Sequence, residues 1–154
     1  MGHWNRRWLR KFYWEQITEI KRLFERLVKE EDSNIDVEKY LLICEQLGEE
    51  PDPKRMPLET SMFPHEVQVA FFVFNFMPDR WEGMSGSYMG KDWNSLEAIL
   101  NIHEIEDRAV VVYLIKLWES VIVSYRAEKA ETKRKKDERK SKSGAGNYTH
   151  NVKG

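Results

Sequence analysis

The feature that most constrains the fold is the stretch of residues 108–140, which contains no glycine and no proline. Its first half is apolar on most helical faces, and its second half is almost wholly charged. The stretch predicts one long helix, because no helix-breaking residue interrupts it. The change in composition predicts that this helix leaves the protein body near Tyr125 and projects, or frays, into solvent.

A helix is also predicted over residues 6–30, where apolar residues recur at steps of three and four. They form a single stripe that should face the core, made of Leu9, Tyr13, Ile17, Ile20, Phe24 and Leu27. Trp4, Trp8 and Phe12 form a second row beside it. The polar segment 30–36 is expected to end this helix.

The next helix is predicted over residues 36–47, with Asp36 or Asn34 as its N-cap and Gly48 just after its end. Its predicted buried face consists of Val37, Tyr40, Leu41, Cys44 and Leu47. Three prolines in residues 49–63 then predict an extended connection.

A third helix is predicted between Pro64 and Pro78, and a β-strand is the competing interpretation of its VAFFVF run. The segment is apolar nearly all round, which predicts that it is the central buried element. Four rings should supply much of the stability: Phe71, Phe72, Phe74 and Phe76. A short fourth helix is expected to start at Asn94 or Ser95, and the last one near Asp107.

Together these segments predict an all-α single domain of about five helices, with a long C-terminal helix and a flexible basic tail. Charge divides the chain into three parts. Residues 1–32 form an aromatic, basic N-terminal helix with eight Lys/Arg and six Asp/Glu. Residues 33–125 form an acidic helical core with seven Lys/Arg and sixteen Asp/Glu. Residues 126–154 form a basic helical extension and disordered tail with ten Lys/Arg and four Asp/Glu. This distribution disfavours a broad nucleic-acid platform on the body, but lets a basic end dock on an acidic surface, such as a neighbouring copy.

Several protein classes are disfavoured by composition. The single cysteine, Cys44, excludes an internal disulfide and is expected to be a buried, inert thiol. The longest apolar runs fall far short of the ~20 residues that a membrane-spanning helix needs. Because the N-terminus is rich in Arg and Trp and lacks an apolar signal region, we expect a cytoplasmic protein.

The glycine-rich segment 81–93 (WEGMSGSYMGKDW) raises the question of a phosphate-binding loop. Ser85 stands where a P-loop has its first glycine, and Asp92 stands where it has the metal-binding Ser/Thr. The segment therefore predicts a turn-rich connection between helices, in which three rings fold back on the core. The alternative is a partner-binding loop that uses the same rings, Trp81, Tyr88 and Trp93.

Both chain ends are candidate binding regions. The N-terminal candidates are Trp4, Trp8, Arg6, Arg7, Arg10 and Lys11. They favour contact with protein, either the chain's own core or a neighbouring subunit; a membrane surface and nucleic acid are the alternatives. The C-terminal candidates form a basic tail, Lys133, Arg134, Lys135, Lys136, Arg139 and Lys140. This tail is interpreted as a solvated helical extension or as an electrostatic arm that binds nucleic acid or an acidic protein surface.

No catalytic constellation stands out in the sequence. The four histidines show no metal-ligand spacing, and no Ser-His-Asp or Cys-His arrangement is evident. We therefore expect a non-enzymatic protein with no metal, no cofactor and no catalytic residue.

A run pattern in residues 39–120 resembles small helical virion-assembly proteins of tailed phages. The pattern is a helix ending in LG, an acidic EPDP connection, an apolar helix, and GKDW before another helix. The resemblance implies an assembly role, as a virion component or a tail-assembly chaperone, in the host cytoplasm or the virion. It carries no catalytic motif and does not extend to either chain end.

These observations predict a protein-binding or assembly module that acts through contacts with other proteins and forms homo-oligomers. The alternative is a nucleic-acid or transcription-complex accessory protein that uses the basic ends.

Overall fold

The chain is folded mostly into helices whose ends follow the prolines, glycines and capping residues of the sequence. In this computed structural model the backbone is described for residues 6–144 and the side chains for residues 16–143. Over that range the elements are α1 (Arg6–Ser33), α2 (Val37–Leu47), α3 (His65–Phe76), β1 (Asp79–Trp81), β2 (Tyr88–Lys91), α4 (Leu96–Ile102) and α5 (Arg108–Gly144). The predicted helical character is confirmed, and a two-stranded antiparallel sheet is added to it.

Both ends of α2 are closed as predicted. The Asp36 side chain accepts a hydrogen bond from the Lys39 backbone N–H at 2.8 Å. Gly48 has a φ of +68°, and its N–H donates to the Glu45 carbonyl. A left-handed residue after the last turn ends a helix at little cost when that residue is glycine.

The core lies where α1, α3 and α5 meet, and rings dominate it. Phe24 of α1 lies 5.4 Å from Phe71 of α3 and 5.1 Å from Trp118 of α5, measured between ring centroids. Phe63, just before α3, meets Phe71 edge-on at 5.4 Å. Tilted and edge-to-face contacts at these distances are the favourable ones for aromatic pairs.

Two of the four rings predicted to stabilise the core are largely outside it. Phe71 and Phe74 are buried, but Phe72 is 44% exposed and Phe76 is 53% exposed. The sequence shows that α3 is apolar nearly all round, yet the neighbouring helices cover only part of its circumference. Phe72 and Phe76 instead contact each other and the ring of His103, at 4.9–5.0 Å, on the surface.

The predicted buried face of α2 is wrong for two of its five residues. Cys44 is buried as predicted, and Val37 and Tyr40 are half-buried, but Leu41 is 40% exposed and Leu47 is 67% exposed. The helix lies against the proline-rich connection that follows it rather than against the main core. The Tyr40 hydroxyl, for example, donates to the Asp52 carbonyl at 3.3 Å and accepts from the Asp52 N–H at 3.1 Å.

The glycine-rich segment forms a β-hairpin, where a plain connection between helices was predicted. Asp79 pairs with Lys91, and Trp81 with Tyr88, with a register shift after Arg80. The Glu82 carboxylate accepts hydrogen bonds from the backbone N–H groups of the turn that joins the strands. Strands of three and four residues are too short to show the alternation that identifies a strand in a sequence.

The long helix α5 leaves the body where its composition predicted. Its last buried residues are Val121 and Ile122, and every residue from 126 to 143 is exposed. The final contacts with α1 are made by Tyr125 and Lys129, which both hydrogen-bond the Asp32 carboxylate. The rest of the predicted disordered tail, residues 145–154, lies outside the described residues. Within residues 6–144, no helix combines the length and apolar character needed to cross a membrane.

Candidate protein-contact surface

One buried carboxylate on α5 holds the hairpin against the body. Oε2 of Glu119 accepts hydrogen bonds from the Lys91 backbone N–H at 2.8 Å and from the Trp93 indole N–H at 2.9 Å. Its Oε1 lies 3.2 Å from the Lys116 ammonium. Glu119 is only 7% exposed, so these bonds compensate for removing its charge from water.

Gly90 allows the close approach between β2 and this carboxylate. Its φ is +96°, and a Cβ added there would lie 2.7 Å from Oε2 of Glu119. Any side chain at this position would both strain the backbone and displace the carboxylate. The glycine that resembled part of a phosphate loop therefore serves close packing between a strand and a helix.

Lys91 is the second buried charge at this junction, with 8% exposure. Its ammonium lies 2.9 Å from Oδ1 of Asp79 and 4.6 Å from the centroid of the Phe74 ring. Burial acts against ionisation of Asp79, but hydrogen bonds from Lys91 and Tyr88 outweigh it and lower the pKa of this carboxyl. The ion pair thus joins the two strands to each other, above a core ring.

Tyr88 and Trp81 form a preformed stack with an arginine from α5. Their ring centroids are 5.1 Å apart, and the Arg126 guanidinium lies 4.2 Å from the Tyr88 ring and 5.5 Å from the Trp81 ring. The Tyr88 hydroxyl donates to Asp79 at 3.1 Å. Burial, together with this hydrogen bond, raises the pKa of Tyr88 well above its ordinary value. We call these three residues the Trp81 stack.

The Trp81 stack is presented to solvent although it is firmly held. Trp81 is 55% exposed, and Met84 at the tip of the hairpin is 98% exposed. Trp, Tyr and Arg are the residue types most often found at the energetic centre of protein–protein interfaces. A stack already fixed in place loses little conformational entropy when a partner binds.

Trp93, the third ring predicted to contact a partner, does not belong to this stack. Trp93 is half-buried beneath the hairpin, with its N–H bonded to Glu119 and its ring 5.3 Å from the Lys116 ammonium. The N-terminal candidates within α1 have side chains outside the described range: Arg6, Arg7, Trp8, Arg10 and Lys11. Trp4 lies outside the described residues altogether.

The six basic residues of the tail all lie exposed on the projecting part of α5. Two of them have acidic partners on the same helix: Lys135 lies 2.7 Å from Glu131, and Arg134 lies 3.7 Å from Glu138. Exposed pairs of this kind contribute little stability, but they reduce the net positive charge that the tail presents.

Sequence reasoning missed Glu119 and Arg126, which organise the surface. A signal for Glu119 was present: it lies at helical spacing from Ile115 and Ile122, on the apolar stripe of α5. A lone carboxylate on a buried stripe predicts a buried hydrogen-bonding role. Arg126 has no comparable signal, because its contact with the hairpin depends on how α5 packs.

The buried polar groups between the hairpin and α5 stabilise the packing of these two elements. Among the described residues, every buried side-chain nitrogen or oxygen has a hydrogen-bond partner. Within the same range no three His, Cys, Asp or Glu side chains are grouped so that they could hold a metal ion. The buried polar side chains at the junction of the hairpin and α5 thus all have hydrogen-bond partners.

No protein-family model matches the chain, and neither a curated protein nor a solved structure is significantly similar to it.

Proposed function

We propose that this chain is a non-enzymatic protein-binding module in which the Trp81 stack is a central contact and the chain ends supply further contacts. The observation that carries the proposal is a tryptophan that is half-exposed and yet fixed by Tyr88 and Arg126. Exposed large apolar groups held in a rigid frame are typical of binding surfaces.

The test is capture of partners from the native source with the tagged full-length chain, followed by identification of the captured proteins. Trp81→Ala should abolish capture of the specific partner, because it removes the largest exposed ring of the stack. Phe76→Ala is the matched control, since Phe76 is 53% exposed and its ring contacts Phe72 and His103 rather than the Trp81 stack. Equal capture by wild type and Trp81→Ala would contradict the proposal.

A narrower proposal is an assembly role in a tailed phage, as a virion component or a tail-assembly chaperone. It rests on the resemblance in residues 39–120 alone. Its expected outcome is that the partners captured through Trp81 are structural proteins of a virion. Capture of metabolic or ribosomal proteins only would count against the assembly role and leave the binding module standing.

The second candidate is nucleic-acid binding through the basic extension. One observation favours it: Lys133, Lys136 and Lys140 recur at helical spacing and are all exposed. Binding of this kind should weaken steeply between about 50 and 200 mM salt, because counterions are released from the phosphates. A fluorescence titration with duplex DNA and with RNA measures that slope. Binding through the Trp81 stack should depend on salt much less.

A further inference from the structure

Helix α2 carries an apolar face that nothing in the described part of the chain covers. Leu42 is 53% exposed, Ile43 is 44% exposed and Leu47 is 67% exposed. At 100° per residue these three side chains lie within an arc of about 140° on one side of the helix, and the buried Cys44 lies just beyond the Leu47 edge of that arc. We call them the α2 face. Apolar groups at this spacing are typical of a helix that docks against another amphipathic helix.

The surroundings of the α2 face are strongly acidic. Residues 30–50 contain eight carboxylates and only one basic residue, Lys39. Four of the carboxylates, those of Glu38, Glu45, Glu49 and Glu50, are exposed and have no ion-pair partner among the described residues. A partner with basic groups beside apolar ones would complement both properties of this surface.

The chain's own N-terminus has that complementary chemistry. Residues 1–15 contain four basic residues and a single carboxylate, Glu15. Large apolar side chains are interleaved with them: Trp4, Trp8, Leu9 and Phe12. The segment is therefore basic and aromatic where α2 is acidic and aliphatic. The aromatic rings supply apolar area for the leucine and isoleucine side chains, and the arginines can pair with the carboxylates.

The geometry of α1 prevents this segment from reaching α2 of the same molecule. The helix is continuous from Arg6 to Ser33, so Lys11 lies about 33 Å from the end where α2 begins. Helix α2 has 11 residues and spans about 16 Å, so even if it ran back along α1 it would stop about halfway. The complementary segment has to come from another molecule.

We propose that the α2 face of one copy binds residues 4–12 of a second copy, and that the second copy returns the same contact. The exchange makes a two-fold dimer with two identical, mutually complementary interfaces. The inference rests on the proposed function, to which it adds one specific partner, a second copy of this chain. It needs nothing from the Trp81 stack.

The test is the mass of the purified full-length chain, of 18.4 kDa, by light scattering and sedimentation at several concentrations and at 50 mM salt. Wild type should be a dimer. Glu38→Lys/Glu45→Lys should raise the dissociation constant about 10- to 100-fold, as should Arg7→Glu/Lys11→Glu, because each places like charges opposite one another. The matched control, Glu106→Lys/Glu128→Lys, makes the same charge change away from α2 and should remain dimeric. Circular dichroism checks that each variant is folded.

Mixing the two charge-reversed variants provides the decisive measurement. In the mixed dimer, the lysines on α2 of one variant face the glutamates at the N-terminus of the other, and the second interface has wild-type charges. The mixture should therefore form a dimer at concentrations where each variant alone, with its dissociation constant raised about 10- to 100-fold, is largely dissociated. A monomeric wild type at high concentration, or no dimer in the mixture, would overturn the proposal.

This test and the capture experiment can fail independently. A monomeric chain that still captures a partner through Trp81 removes the dimer and keeps the binding module. A dimer that captures nothing through Trp81 removes the binding role of the Trp81 stack and keeps the dimer. The two results are separable because the mass of the purified chain reports only on contact between copies.

Discussion

The hairpin and α2 both flank the helical body, and both expose large apolar side chains, but they are held in very different ways. The hairpin is bonded to α5 through the buried Glu119 carboxylate, which accepts from the Lys91 backbone N–H, and through the close packing of Gly90. The ion pair between Lys91 and Asp79 joins its two strands to each other. The attachment of α2 consists of a buried Cys44, two half-buried side chains and the hydrogen bonds between Tyr40 and Asp52.

The difference shows that exposed apolar area can have two meanings. On the hairpin, hydrogen bonds hold the strands and the Tyr88 hydroxyl, and Trp81 stacks with Tyr88 and Arg126, so its position is set before any partner arrives. On α2, three exposed aliphatic side chains contribute little to the folded monomer, and their burial is still available to stabilise a complex. The first surface favours specificity, and the second favours association driven by apolar burial and charge.

The largest expected contrast in the free energy of unfolding is between side-chain truncations in the helical body and in α2. Phe71→Ala should lower the free energy of unfolding by about 3–5 kcal/mol, because it leaves a cavity among Phe24, Phe63 and Trp118. Leu42→Ala should cost no more than about 0.5 kcal/mol, since this side chain is mostly in water. Urea unfolding in high salt, which weakens contacts between copies, measures both. Similar losses for the two variants would mean that α2 is packed as tightly as the body.

The next contrast compares two glycines with positive φ. Gly90→Ala should cost about 2–4 kcal/mol, since backbone strain of about 1–2 kcal/mol adds to a collision with the Glu119 side chain. Gly48→Ala, at the end of α2, meets no atom within 4 Å and should cost only the strain. Thermal unfolding of the two variants measures the difference. Equal costs would show that β2 and α5 do not approach as closely as described.

Removing the Glu119 side chain should cost about 2–3 kcal/mol, because the Lys91 N–H and the Trp93 indole N–H lose their acceptor. Glu119→Gln keeps an acceptor oxygen and should recover about half of that loss. The indole N–H signal of Trp93 in nitrogen–proton correlation spectra should shift in Glu119→Ala and less in Glu119→Gln. An unshifted signal in Glu119→Ala would exclude this hydrogen bond.

The smallest expected effect is the loss of stability at acidic pH that comes from protonation of Asp79. The pKa of Asp79 is lower in the folded chain than its ordinary value of about 3.9. Its contribution to stability is therefore fully present above that value and is lost as the pH falls through the lower, folded-state pKa. Asp79→Asn should be less stable than wild type at neutral pH, and the gap should narrow as the pH falls below the ordinary value and through the lower, folded-state pKa. Urea unfolding at pH 7 and at pH 2.5 measures the gap. A difference that is independent of pH would show that the pair with Lys91 contributes no electrostatic stabilisation.

Most helices and their ends were predictable from the chain, because their signals are local. Asp36 and Gly48 mark the two ends of α2 through hydrogen bonds to residues three positions away, and Pro64 marks the start of α3. The projection of α5 followed from its change to charged residues. These features depend on neighbours along the chain, which a sequence displays directly.

The candidate site was predictable only in part. Trp81 and Tyr88 were recognisable as rings beside flexible glycines, but their stacking partner Arg126 lies 38 positions beyond Tyr88 in the chain. The hairpin itself went unrecognised, since its short strands carry no alternation and its tightest position, Gly90, is explained by a carboxylate on α5.

Periodicity and capping were enough to establish where the chain is helical, where each helix ends, and where the last helix leaves the body. Only the packed molecule decided which apolar faces are covered: Phe71 is buried and Phe72 is exposed on the same helix, and Leu47 of α2 stays in water. Helix formation depends on bonds between residues a few positions apart, whereas burial depends on which distant elements arrive alongside. Which side chains are buried is decided only when distant residues such as Phe24, Phe71 and Trp118 are brought together.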